Sequence, residues 1–444
     1  MQKMSSAALA FALAAGAAVP AHAWEYTIAG ASGFQQNLAP TDALVAGAIG
    51  DVCLLSNDSD PGGMHFAHFY AFHAQTGTLA PWQSVGSREL ATLGLDCRFG
   101  PAILGYAAYD EYTMRRSVKL VGFMLAGSTL GPAYELPSYG AIETTHFGVD
   151  AAQHAVVLRE KIGGNAYDLQ AFDLNTLASL WQSGMNPFPV PAPHVLAMRV
   201  AADGTTSLLG TTDDAYTPAL GMFLQRYDAT GQPQPPSFQY ADPMFAQIGA
   251  AALSPGGVAY FVRRDRSYLQ DQVWQMSGQS PWGNLLAGGC CTAQQVIALQ
   301  ALPDDGALVA TSTVYGWGGA LTRYAANGDI LWRADGTPVT PPGTELLGVI
   351  GDRAGRALIV TTEPVFGGPP QAVRSVRLSA YSETGAQTWT RVIENVRVDH
   401  GNPLRFAVSS DDRVVLALNA YVPGQDAYGI LVQGFPLDQP TAFP

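Results

Sequence analysis

Apolar positions in this chain come in short runs, each broken by a small turn and then resumed. Met198 to Leu209 turns at Asp203-Gly204, Ile297 to Ala310 at Asp305-Gly306, and Phe406 to Leu418 at Asp411-Asp412. Ala251 to Val262 and Leu347 to Val360 turn at Gly256-Gly257 and Ala354-Gly355. Continuous apolar runs bounded by Gly and Asp read as strands buried on both faces. A polar connection of variable length follows each pair. Then comes a third run ending in an aromatic and a fourth run carrying Trp. Tyr324-Ala-Ala-Asn-Gly-Asp-Ile-Leu-Trp332 shows this second half most plainly, because Asn-Gly tolerates the positive φ that a twist-matched hairpin turn needs. No helical period of useful length interrupts the pattern.

The third-run aromatics are Phe72, Phe123, Phe172, Tyr227, Trp274, Tyr324, Tyr381 and Phe435, at spacings of 51, 49, 55, 47, 50, 57 and 54 residues. Beyond the turn, a second aromatic stands at Trp82, Trp181, Trp282, Trp332 and Trp389. A period near fifty with four short strands per unit predicts an all-β fold, a single eight-bladed β-propeller. The last unit lacks a fourth strand, since Pro436 to Pro444 is short and Pro-rich. Trp24-Glu-Tyr-Thr-Ile-Ala-Gly30 matches the fourth-strand pattern and precedes the first unit. This N-terminal strand is expected to complete the last blade and close the ring, removing its open edges. Trp332 and Trp389 are expected to lie buried between blades.

Composition adds a location. Met1-Gln-Lys3, the apolar stretch from Ala7 to Val19 and Ala21-His22-Ala23 read as a signal peptide over residues 1–23, leaving 24–444 as the propeller. A periplasmic or secreted chain is expected, with no membrane span, in an oxidising compartment. The net charge of −13 disfavours nucleic acid as a partner and keeps an exported monomer soluble.

The turn-and-Trp pattern resembles the tryptophan-docking repeat of quinoprotein-type (PQQ-like) eight-bladed propellers, which reads Ala-x-Asp-x-x-Thr-Gly-x-x-x-Trp. Unit three matches through Ala171, Asp173, Thr176 and Trp181, with Leu177 in place of the Gly. Unit one has Ala71, His73, Thr76, Gly77 and Trp82, with one extra residue, and unit seven has Ala380, Thr384, Gly385 and Trp389, one residue short. The resemblance implies the fold, with each Trp lying flat against a neighbouring blade. Function follows from it only weakly, because such propellers include cofactor-dependent dehydrogenases and binding scaffolds. Cys290-Cys291 is a vicinal pair like the vicinal disulfide of the alcohol-oxidising quinoproteins, although it falls later in the chain. The calcium ligands of those enzymes have no match here. Cys53 and Cys97 lie in neighbouring units, where a bridge between blades is open to geometry.

Other candidate chemistry is sparse. His65, His68 and His73 share a strand but not one face, so they read as surface histidines rather than metal ligands. Asn57-Asp-Ser-Asp60-Pro-Gly-Gly63 reads as a turn, lacking the downstream Glu of a calcium loop. The connections between second and third strands share one face of a propeller. They carry Asp213, Asp214 and Tyr216, then Arg263, Arg264 and Arg266, then Tyr315 and Trp317, a mixture suited to ligand binding. The expected function is therefore an exported, non-catalytic propeller that binds a protein or small extracellular ligand through this loop-rich face. No cofactor is assigned. The alternatives are a PQQ-dependent oxidoreductase with the vicinal disulfide near its cofactor, and a metal-dependent hydrolase or lactonase in the central channel.

Overall fold

A computed structural model describes residues 23–438 except 29–36, 39–43, 48–49, 60–62, 82, 88–89, 111–114, 124–129, 136–141, 162–166, 177, 184–192, 215–216, 241–245, 266–269, 277–281, 286–293, 314–318, 336–344, 363–372, 398–403 and 423–426. The chain is an all-β, eight-bladed propeller. Blades 2 to 6 are separate antiparallel sheets of four consecutive strands, and blade 1 adds a short edge pair, Asn37–Leu38, to its four. A single bridge, Val396 to Ala420, joins blades 7 and 8 into one sheet.

Ring closure follows the expected route. Trp24–Ile28 pairs antiparallel with Ala427–Pro436, in the register Trp24 to Gly434 and Ile28 to Ile430, as the outer strand of blade 8. The Trp24 indole N–H donates to Ala74 O of blade 1 at 2.6 Å, so one strand both completes its blade and docks on the next.

The turns between first and second strands are built on one plan. One or two residues before each second strand, the backbone takes a positive φ: Gly50, Gly100, Gln153, Gly204, Gly257, Asp305, Gly355 and Asp412. Glycine suits this place because it adopts that conformation without steric cost. In four blades a side chain three residues earlier closes the turn. Asp150, Ser254, Asp352 and Ser409 accept the N–H of the residue four positions on, at 2.8, 2.9, 2.9 and 3.1 Å.

The three residues other than glycine at positive φ among the described residues all reach back to the preceding blade. Gln153 Nε2 donates to Phe99 O at 2.9 Å. Asp305 accepts from Ser254 Oγ at 2.6 Å and Gly256 N at 3.0 Å. Asp412 accepts from Arg353 N at 3.3 Å. Each strained turn therefore carries an inter-blade hydrogen bond.

The outer turns dock tryptophans. Gly77 and Gly231, both at positive φ, lie under the Trp24 and Trp181 rings of the preceding blade, where an added Cβ would come within 2.5 Å. Gly385 lies likewise under Trp332, with 2.9 Å for the same test. Indole N–H groups donate from Trp181 to Ala229 O, from Trp332 to Gly355 O and from Trp389 to Leu437 O, at 3.0, 3.1 and 2.9 Å. Trp332 is buried as expected. Trp389 is only half-buried, its ring edge-on to Phe435 near the blade rim.

Four readings need correction. The second strands, such as Ala357–Thr362, are buried throughout, but the first strands are only half-buried because one face lines the channel. In blade 5 the place of the third-strand aromatic belongs to Met276, which pairs with Ala259 as Tyr324 does with Ala307. Trp274 lies two residues early on the same face, so the spacings there become 276 − 227 = 49 and 324 − 276 = 48. Asn57 to Ser59 continue a strand rather than forming a turn. His68 is buried, not on the surface, with Nε2 2.9 Å from Asp58 Oδ2, while His65 and His73 are exposed.

Candidate functional site

The residues expected to form a binding face are mostly not brought into view. Asp213 and Asp214 end the second strand of blade 4, Thr206–Asp214, where Asp214 pairs with Thr217 at the start of the third. Arg263 and Arg264 lie in the second strand of blade 5, Ala259–Asp265, paired with Gln272 and Asp271, and Arg263 is half-buried. Tyr216, Arg266, Tyr315, Trp317 and the pair Cys290-Cys291 lie outside the described residues. Cys53 and Cys97 form a disulfide, with Cα atoms 6.5 Å apart, that joins blades 1 and 2.

A concave site appears at the opposite end, where the first turns converge on the ring axis. A cavity of about 610 Å³ is lined there, among the described residues, by every blade but the third. First strands contribute the apolar side chains Leu44, Leu253, Ile350 and Phe406 to its walls, and polar groups supply about as much of the lining surface. Its charged lining consists of Arg98, Arg199 and Arg353, and no carboxylate joins them among the described residues. Two shallower depressions lie elsewhere, one at the outer turn of blade 1 and one between blades 3 and 4.

The three arginines are held differently. Arg98 grips Asp96 through Nε at 2.9 Å and Nη2 at 2.6 Å, and its Nη1 donates to Val200 O at 2.9 Å. Asp96 also accepts from Val149 N at 2.9 Å, so this bidentate pair ties blades 2, 3 and 4 together. Arg353 occupies the equivalent turn position in blade 7, is exposed, and donates from Nη1 to Ser410 O at 3.0 Å. Arg199 stands in the first strand of blade 4, opposite Ser207.

Arg199 also borders a smaller niche between blades 4 and 5, of about 100 Å³, which shares Arg199, Ala201 and Pro255 with the axial cavity. Arg226 lies on the other side of it and donates from Nη2 to Gly257 O at 2.8 Å. Burial lowers the pKa of the Arg226 guanidinium, and the Asp305 carboxylate partly offsets this.

Sequence reasoning missed these groups because each looks like an isolated basic residue near a turn. One signal was available: Arg98 and Arg353 each stand four residues before a buried second strand, at Ala102 and Ala357. The donor set also bears on the quinone reading. Arginines suit the carboxylates of such a cofactor, but the described cavity offers no carboxylate for its calcium, so no step is derived through that group. Among the described residues no three His, Cys, Asp or Glu side chains gather as metal ligands.

No family model matches the chain, and no curated protein does either, so the quinoprotein resemblance stands on the repeat alone. Solved structures similar to it include the β-propeller domain of the Trilobed protease from Pyrococcus furiosus, at 7% identity over 79% of this chain and 96% of that one, with a TM-score of 0.47. The polysaccharide lyase Uly1 is similar at 9% identity over 90% and 91% of the two chains, TM-score 0.47. An oligogalacturonate lyase in complex with manganese is similar at 14% identity over 75% and 86%, TM-score 0.44. None of these likenesses bears on ligand or reaction, and the eight blades rest on the strand pairing itself.

Proposed function

We propose that the protein is an exported binding scaffold whose small-molecule ligand sits in the axial cavity at the short-turn end. The observation that carries this reading is the cavity itself: about 610 Å³, concave, with apolar first-strand side chains beside polar groups and three arginines on its border. That combination and size characterise small-molecule sites, which run to ~300–1,000 Å³. The rigidity of the ring supports it too, since walls from seven blades cannot move independently of their buried second strands. Export is supported by the N-terminal segment, and the Cys53–Cys97 bridge suits an oxidising compartment.

Equilibrium dialysis of the mature chain against a small-molecule extract, read by mass spectrometry, tests the reading. Leu253→Trp narrows the cavity from its wall without touching an arginine. A compound retained by the parent chain and released by this variant, at unchanged circular dichroism, is the expected result. Identical retention by both chains would overturn it.

A further inference from the structure

The niche between blades 4 and 5 has a composition unlike the cavity it opens from. Two guanidinium groups, Arg199 and Arg226, face it together with the hydroxyl residues Thr205 and Ser207 and the Gly256-Gly257 turn. Ser207 is almost wholly buried. Gly257 keeps the floor open, since a Cβ there would stand 2.5 Å from Ser207 Oγ and 3.9 Å from Arg226 Nε. Among the described residues, Asp305 lies behind Gly256 and is engaged by Ser254 Oγ and Gly256 N, and Asp203 beside the niche is engaged by Thr205 N. At about 100 Å³ the space is too small for a whole metabolite and of the scale of a head group. In a chain of net charge −13, two arginines lining one recess together with hydroxyl residues favour negative charge there.

We propose that this niche seats the oxyanion head group of the ligand, a carboxylate, sulfonate or phosphate, while an apolar body lies in the axial cavity against Leu253 and Ile350. The ligand class is thus an organic acid with a hydrophobic body. The proposal rests on the axial-cavity reading above. Arg199 joins the two spaces, because it borders both and can hold an anion that enters the niche from the axis.

The test titrates the full mature chain with naphthalene-2-sulfonate and with its neutral isostere naphthalene-2-sulfonamide, by calorimetry. The sulfonate is expected to bind once per chain and about tenfold more tightly than the sulfonamide, the worth of one or two charge-assisted hydrogen bonds. Arg199→Gln and Arg226→Gln should each erase that preference, and Arg199→Lys should keep part of it. Should Arg226→Gln fail to fold, the Arg199 pair decides alone. Equal affinity of the parent chain for both probes overturns the head-group proposal and leaves the cavity reading intact. Binding of neither probe overturns both. An undiminished preference in the Gln variants puts the anion elsewhere and overturns the proposal.

Discussion

The interfaces between blades 4 and 5 and between blades 6 and 7 begin from the same residue and end differently. Arg226 and Arg323 each precede the tyrosine that closes a third strand. Each also lies beneath the positive-φ glycine of the next blade's first turn, Gly257 or Gly355. In blade 6 the Trp332 indole donates to Gly355 O, and Arg323 turns back to Asp304 of its own blade at 2.5 Å. Blade 4 has no tryptophan in its fourth strand, Ser237–Tyr240, and Arg226 itself donates to Gly257 O. One turn carbonyl is therefore satisfied by an indole and its equivalent by a guanidinium. The indole also fills the interface with apolar area, whereas the guanidinium borders a polar niche. A docking tryptophan can be absent from a repeat provided another donor reaches the same carbonyl, and its absence makes one interface chemically distinct.

The comparison predicts where each interface breaks. Trp332→Ala should have the largest effect, about 3–5 kcal/mol, from lost apolar area and the cavity left behind. Urea unfolding measures it, and a loss below about 1 kcal/mol would mean the indole is not what holds blades 6 and 7 together. Arg226→Met should cost less, roughly 1–3 kcal/mol, the penalty of stranding the Gly257 carbonyl. If the same unfolding assay shows no change, another donor reaches that oxygen and the equivalence between indole and guanidinium fails.

Proton linkage separates the two interfaces further. Asp352 closes the first turn of blade 7, where blade 5 has Ser254. Burial raises the Asp352 carboxyl above its ordinary 3.8, outweighing its bonds to Arg356. A carboxyl raised in the folded state adds stability that is full below the unfolded pKa and is lost as pH rises through the folded one. In Asp352→Ser, stability measured at a series of pH values from just below 3.8 upward should lose that declining component. Parallel profiles for parent and variant would contradict the assignment. The smallest effects concern the strained turns. Asp305→Gly gives up two good hydrogen bonds and should cost about 1 kcal/mol net of relieved backbone strain. Asp412→Gly gives up one long bond, so thermal melts should place it within about 0.5 kcal/mol of the parent. The reverse order would show that strain rather than the latch dominates.

Much of this fold could be read from the sequence because its signals are local. Asp203-Gly204 or Asn327-Gly328 announces a turn within a few residues, and a repeat of such turns announces blades. The strand from Trp24 was legible because it carries the fourth-strand pattern out of place. The register of blade 5 was not, because an aromatic at Trp274 outweighed Met276 in a pattern defined by aromatics. The arginine links were hidden, and the Cys53–Cys97 bridge was foreseen only as a possibility, for another reason. Cys53 and Cys97, or Arg226 and Gly257, meet across blades, and only the ring geometry fixes which residues face each other. Pattern pointed to the charged connections around Asp213 and Arg263, whereas the described cavity forms at the other end, from residues that are unremarkable one by one.

The shared eighth blade also dictates an order of assembly. Its outer strand is made before the other seven blades and its third strand after them, so Glu25 waits for a partner, Gln433, that is 408 residues away. Every other blade can form as soon as its own segment has been made. The ring stays open until Ala427–Pro436 has been made and has paired with Trp24–Ile28, and until then the docking surface at Ala74 is uncovered. Closure of so long a loop is entropically slow, which makes the nearly complete open ring the species most exposed to mispairing with another copy. Tethering the two ends through a short linker would shorten that search without altering a contact in the finished molecule.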